Sequence, residues 1–310
     1  MTAAERPGPA FLPLLSRFVR LQFLPVIVAP VLLGASLAWR QTHSVNPWFF
    51  LVALLGSCCL LLAANAIDDV YDELNGVDDA VDRLFPPQFP GWKPLTRGAM
   101  TMRAGFLVSA ALYGLAILAG VYLSAKVGWT ALGIAVPGIV LSYFYTAPPL
   151  KLDYRGLGLG ELSILVSFGP VPCLGMFYVL TMSTSVVPVL ASIPAGLLTA
   201  CLLMTHDMIF YEPYAASGKR SLTVALGYAG AARAVMALSV LAYAIVIGLV
   251  AIGLLPWSSL VCLLALPFLR VGKAPPGVPH LQVYGRRTQR TFLHSVLFTL
   301  LLAAGTAVSL

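Results

Sequence analysis

The chain has 310 residues; 59% are apolar, only 10% are charged, and the mean hydropathy is +0.89. A soluble domain carries about 25% charged residues, so a water-soluble fold of this length would lack the charges to cover its surface, and a disordered chain would be more polar still. What remains is a polytopic membrane protein, and its net charge of +7, carried in loops between apolar runs, points to an anionic substrate or lipid headgroup and not to nucleic acid.

A membrane helix needs roughly 20 mostly apolar residues. Nine runs are expected to span: 18–38, 48–67, 104–124, 128–146, 160–181, 185–206, 229–254, 255–270 and 291–310. The eighth is the shortest and follows the seventh after only a turn at Leu255-Pro256-Trp257. The first run follows no cleavable signal pattern, so it is expected to stay as a helix. The expectation is an all-α bundle, one transmembrane domain over 1–310. The five cysteines, Cys58, Cys59, Cys173, Cys201 and Cys262, fall in apolar runs without a CxxC pair, and are read as small packed residues.

With the N-terminus in the cytoplasm of a cell membrane, alternation places 17 of the 19 basic residues inside, including Arg6, Arg270 and Lys273, and only Arg40 and Lys126 outside. All 12 acids fall on the same side. A structural anchor has no need of such a concentration; a polar reaction chamber at the mouth of an apolar bundle does.

The second run leads into Asn65, Asp68, Asp69, Asp72, Glu73, Asn75, Gly76, Asp78 and Asp79. Positions 65, 68, 69, 72 and 76 share one helical face. Like charges at that spacing repel, and carboxylates near lipid are costly to desolvate; a divalent cation reverses both penalties. Hard oxygen ligands suit Mg²⁺, which takes one or two carboxylates and fills its shell with phosphate oxygens and water. This face is therefore read as a site for a Mg²⁺-diphosphate. Asn65 and Asp68 continue an apolar helix, whereas Asp78, Asp79 and Asp82 are expected to be a solvated acidic loop. Three other loops on that side carry cations beside glycines: Lys93 and Arg97 before Gly98, Lys151 and Arg155 after Tyr145, and Lys219 and Arg220 after Gly218. Together with Arg20 they are candidates to neutralise phosphate oxygens. His206, at a span end, is a candidate ligand too, but a lone histidine there is more often an interface residue.

These residues carry a family resemblance over nearly the whole chain. Asp68-Asp69-Val70-Tyr71-Asp72 with Gly76 and Asp78 is similar to the first aspartate motif of the UbiA superfamily of intramembrane prenyltransferases, with Asp68 where asparagine is usual. Tyr145-Thr146-Ala147-Pro148-Pro149-Leu150-Lys151 through Glu161 resembles its central loop. Leu24-Pro25, Phe168-Gly169-Pro170, Gly218-Lys219-Arg220-Ser221 and Leu293-His294 resemble it too. Within the superfamily the chain looks most like the 1,4-dihydroxy-2-naphthoate prenyltransferases of menaquinone synthesis. The resemblance implies nine spans and Mg²⁺-dependent transfer of a prenyl chain from an isoprenyl diphosphate to an aromatic acceptor within membrane lipid. It also implies a second aspartate motif before Gly218, yet those positions hold Phe210 and Tyr214. The acids nearby are Asp207 and Glu212; either Asp207 replaces one metal ligand, or the second metal is weakened or lost.

The expected chemistry is ionisation of an allylic diphosphate, with Mg²⁺ on Asp68, Asp69 and Asp72 taking up the charge of the leaving group. Asn65 joins the substrate contacts. Tyr145, Tyr211 and Tyr214 are candidates to face the allylic cation with their rings, or else belt residues. A terpene cyclase with the same fold is the alternative. An ion-coupled transporter fits less well, since the charges cluster at one face and no internal repeat stands out.

Overall fold

Runs this apolar can satisfy their backbone in lipid only as helices or closed barrels, and the helical solution is the one adopted. The computed structural model describes residues 11–85, 93–269 and 280–308. All regular elements among the described residues are helical. In chain order the α-helices are α1 Phe11–Phe18, α2 Leu24–Thr42, α3 Pro47–Leu74, α4 Val77–Leu84, α5 Met102–Val127 and α6 Thr130–Phe144. There follow α7 Leu159–Phe168, α8 Pro170–Thr181, α9 Val186–Asp207, α10 Tyr211–Ser217, α11 Leu222–Ala251 and α12 His280–Ala307. Short 3₁₀ helices lie at Leu21–Phe23, Leu152–Tyr154 and Trp257–Phe268. Arg6, Arg270 and Lys273, and the last residues of the expected runs 255–270 and 291–310, lie outside the described residues.

Among the described residues, helix is found within each of the nine expected runs. Seven helical stretches among the described residues are long and apolar enough to cross a membrane. The other two are shorter, 15 residues in α6 and 12 in the 3₁₀ segment Trp257–Phe268. At about 1.5 and 2.0 Å per residue both fall short of a hydrocarbon core of about 30 Å. Several helices outrun the apolar stretch that announces them. The second continues to Leu74 and so keeps the acids in helical register; the ninth begins at His280, not 291. Hydropathy falls where a helix leaves lipid, but its hydrogen bonds do not.

Local chemistry sets the ends. Asn46 accepts hydrogen bonds from the Trp48 and Phe49 amides, with Pro47 in the first turn of α3. Thr101 caps α5 and Ser185 caps α9 in the same way. The expected run 160–181 is broken into α7 and α8 at Gly169. There α9 comes close: a Cβ on Gly169 would stand 2.7 Å from the Ser192 carbonyl, and one on Gly196 would collide with the Leu165 carbonyl. Small residues at such crossings let backbones touch.

Helices α2, α8, α9, α11 and α12 enclose one core around Leu33, Phe177, Leu198, Phe298 and Leu302. Helix α5 packs along α3, and the acid-bearing end of α3 rests on Phe18, Val19 and Leu95. Within the core Tyr243 pairs with His294 at 2.8 Å. Lys93 and Lys219 meet the end of α3 through ion pairs, and Asp153 joins them through Lys219, so these charges gather at one end of the bundle.

Candidate active site

The last two turns of α3 place Asp68, Asp69 and Asp72 against three cations from three separate segments. Arg20 reaches them from the 3₁₀ turn before α2. Its Nη2 lies 2.9 Å from Asp68 Oδ2 and pairs also with Asp69. The Arg20 backbone is left-handed, φ 52 and ψ 51, a costly conformation for a residue with a side chain. Lys151 is left-handed too, with φ 45. Strain of this kind is held where the surroundings dictate an orientation.

Lys93 pairs with Asp69 and lies 3.6 Å from Asp78. Lys219 lies 2.8 Å from Asp153 and 3.3 Å from Asp72, and Tyr154 donates its hydroxyl hydrogen to Asp72 at 2.6 Å. Burial works against the Lys219 charge, but Asp153 and Asp72 outweigh it and hold its pKa well above the ordinary value. Burial pushes the Asp153 carboxyl up to about 7, with Lys219 pulling the other way. It pushes Asp78 up to about 8, against the pull of Lys93 and with a further push from Asp72 and Asp69.

Two cavities meet at this cluster. The larger, about 270 Å³, has Arg20, Asn65, Asp68, Tyr145, Asp153, His206, Asp207, Tyr214 and Lys219 among its lining residues. The rest of its lining, from Ile27 and Leu60 to Val52, Leu123 and Val179, is mostly apolar and lies among the spans. The smaller, about 170 Å³, is lined by Arg17, Arg20, Asp69, Asp78, Lys93, His206, Phe210 and Tyr214, among others. Arg20, His206 and Tyr214 border both.

Several expectations need correction. Asp78 is not solvated: it is 2% exposed and faces Lys93, because α4 folds back against α10. Asp79 and Asp82 are exposed as expected. Glu212 is not brought to the acids; its carboxylate accepts from the Tyr228 hydroxyl at 2.9 and 3.0 Å. Arg220 is exposed, and Arg97 pairs with Asp82 at 3.4 Å; neither lines a cavity described above. Lys151 stands one step back and donates to Asn75 at 2.6 Å. Asn65 donates to the Val19 carbonyl at 3.0 Å while lining the larger cavity. Tyr211 packs on Tyr228, with 4.4 Å between ring centres, and the Tyr214 ring is covered by Lys219. Tyr145 and Tyr214 both line the larger cavity, and Tyr211 does not. Asp153 and Tyr154 were not anticipated as site residues.

Whether these residues suit a divalent metal is decided by the unsatisfied oxygens. Asp68 Oδ1, Asp78 Oδ2, Asp153 Oδ1 and Asp207 Oδ2 are buried without a hydrogen-bond partner. Six acidic side chains, Asp68, Asp69, Asp72, Asp78, Asp153 and Asp207, meet the cations Arg20, Lys93 and Lys219, with Arg17 in the lining of the smaller cavity. Among the described residues, no three carboxylate, imidazole or thiol groups converge as a ready-made metal cage. Surplus hard oxygens without a closed cage fit a Mg²⁺-like ion whose shell is completed by phosphate and water.

A helical bundle with an apolar cavity among its spans and paired acids and cations at one end defines an intramembrane enzyme for a lipid with an anionic head. The chain belongs to the UbiA prenyltransferase family, which matches residues 27–274. It is similar to a 1,4-dihydroxy-2-naphthoate octaprenyltransferase of Bacillus subtilis, 29% identical over 81% of this chain and 78% of the relative. It resembles a 2-carboxy-1,4-naphthoquinone phytyltransferase of Synechocystis, 29% identical over 78% of this chain and 76% of the relative. Its fold is like that of a UbiA homologue of Archaeoglobus fulgidus bound to GPP and Mg²⁺, with a TM-score of 0.60, 15% identity, and 92% and 99% of the two chains covered. It is also like that of a UbiA homologue of Aeropyrum pernix, with a TM-score of 0.62 at 17% identity and coverage of 90% and 96%.

Proposed function

We propose that the chain, acting as one unit over 1–310, transfers a prenyl group from an isoprenyl diphosphate to an aromatic acceptor, 1,4-dihydroxy-2-naphthoate or a similar quinone precursor. It does so in the cell membrane, with its charged end in the cytoplasm and with Mg²⁺. The observation that carries this reading is the larger cavity. One end presents carboxylate oxygens that lack partners beside Arg20 and Lys219, and the remainder is apolar and lies among the spans. That is the shape of a diphosphate joined to a hydrocarbon. The names of the Bacillus and Synechocystis relatives supply the naphthoate-type acceptor.

Asp68, with Asp69 or Asp207, would hold Mg²⁺, which when bound supplies charge to offset the diphosphate as it leaves. The protein's own part is to hold and to exclude. Arg20 and Lys93 exchange carboxylate partners for phosphate oxygens and hold the diphosphate where its charge grows, while Lys219 stays on Asp72 and Asp153 and adds its charge to that end. The apolar lining keeps water from the allylic carbon, and the Tyr145 ring stands in the cavity wall near that end. The carbon–oxygen bond to diphosphate breaks, its electron pair leaves with the diphosphate, and a ring carbon of the acceptor supplies the pair for the new carbon–carbon bond.

Diphosphate release by purified protein with geranylgeranyl diphosphate and Mg²⁺, with and without 1,4-dihydroxy-2-naphthoate, tests this. Release that depends on the naphthoate is expected. Release without an acceptor would make the protein a cyclase, and no release from folded protein would remove the reading.

A further inference from the structure

Among the described residues Lys219 is the only lysine or arginine that is buried, with 3% exposure. Its ammonium bridges two carboxylates, 2.8 Å from Asp153 Oδ2 and 3.3 Å from each oxygen of Asp72. Two aromatic faces close the remaining directions. The Nζ stands 4.5 Å from the centre of the Tyr214 ring and 5.2 Å from that of Tyr154. Phe210 stacks behind Tyr214 at 5.7 Å and 18°, and Val77 and Val81 pack against both. A cation between carboxylates and ring faces is stabilised by both and has little access to water.

The acids thus form two sets. Asp72 and Asp153 already share a cation on a tether. Asp68 Oδ1 and Asp207 Oδ2 line the same cavity with no partner and no ammonium beside them, whereas Asp153, whose Oδ1 is also unpartnered, already holds Lys219 through its other oxygen. Bridging two carboxylates is what a divalent ion does at such a place, and here an ammonium does it. We propose that Lys219 is a resident cation that fills the place of a second divalent ion, so that the site takes a single exchangeable metal with each diphosphate. The exchangeable ion belongs to the side of Asp68 and Asp207. This rests on the transferase reading above and specifies its metal count.

The test is a count. Full-length protein in nanodiscs is titrated with Mn²⁺ in the presence of inorganic pyrophosphate, and free Mn²⁺ is followed by electron paramagnetic resonance. One tightly held ion per chain is expected in the wild type. Two are expected in Lys219→Met, which releases Asp72 and Asp153. Two ions in the wild type would overturn the proposal, and so would a folded Lys219→Met that still holds one. Should that variant not fold, the wild-type count decides alone. No retention of Mn²⁺ with pyrophosphate would remove the transferase reading of the site together with this one, whereas a count of two removes only the resident lysine.

Discussion

Asp69 is the residue on which the cluster turns, since Arg20 and Lys93 both pair with it. Asp69→Ala leaves Arg20 with Asp68 alone and Lys93 with Asp78 at 3.6 Å, and Asp72→Ala takes one of two carboxylates from Lys219 and the acceptor from the Tyr154 hydroxyl. Each substitution is expected to lower turnover by about 10²-fold or more, the usual loss when a preorganised electrostatic contact is removed. Size-exclusion profiles in detergent should show that the protein still inserts and folds; near-normal turnover in both variants would sink the assignment. Asp78 gives a prediction about pH. Its carboxyl rises from an ordinary 3.8 to about 8 on folding, so the folded state holds a proton that the unfolded state releases. That contribution is complete below about pH 4 and is lost as pH climbs toward 8. Asp78→Asn should therefore shrink the fall in melting temperature between pH 5 and pH 8. An unchanged fall would show that Asp78 is ionised in the folded protein. The register of Asp68, Asp69 and Asp72 could be read from the sequence because helical periodicity alone fixes it. Asp153 and the burial of Asp78 could not. One sits in a single turn of 3₁₀ helix, too short to show a periodicity, and meets Lys219 only through tertiary packing; the other reads as part of a polar run until α4 is laid against α10.

At the scale of helices, the crossing of α7 and α8 with α9 holds the cavity wall, since Ile164, Ser167, Phe168 and Val171 line the larger cavity from those segments. Gly196 makes that crossing possible. Gly196→Ala drives a methyl group into the Leu165 carbonyl, and backbone shifts of this kind cost about 1–3 kcal/mol. A melting temperature several degrees lower is expected by thermal unfolding in detergent, with prenyl diphosphate affinity reduced in parallel. A variant as stable as wild type would mean the crossing can slide. Helix α11 carries a different device: Gly227, at φ 65 and ψ 170, occupies a region essentially closed to residues with a side chain. The kink joins the short turn from Leu222, capped by Ser221, to the longer helix expected from 229. Hydropathy locates such helices but does not mark their bends, because a glycine within an apolar run looks like any other small residue.

At the scale of the whole molecule, the larger cavity follows α3 from Asp68 back to Val52, about 24 Å at 1.5 Å per residue. That distance limits the prenyl chain that fits with its diphosphate at the acids. Ala53 lies near the far end. Ala53→Phe is expected to leave turnover with geranyl diphosphate within about two-fold of wild type and to lower it at least ten-fold with geranylgeranyl diphosphate, about 1.4 kcal/mol of discrimination. Product formation from each donor measures this, and equal losses for both would place the tail elsewhere.

A reaction chamber whose apolar length lies among membrane spans, with its charges at one end, meets its donor in two dimensions. The quantity that fills it is the mole fraction of prenyl diphosphate in the bilayer, not its molarity in the suspension. Adding inert phospholipid at fixed total donor should slow an unsaturated reaction in proportion to the dilution, although nothing in the water has changed. The rate in a cell would then respond to the expansion of its membrane as directly as to the supply of its substrate.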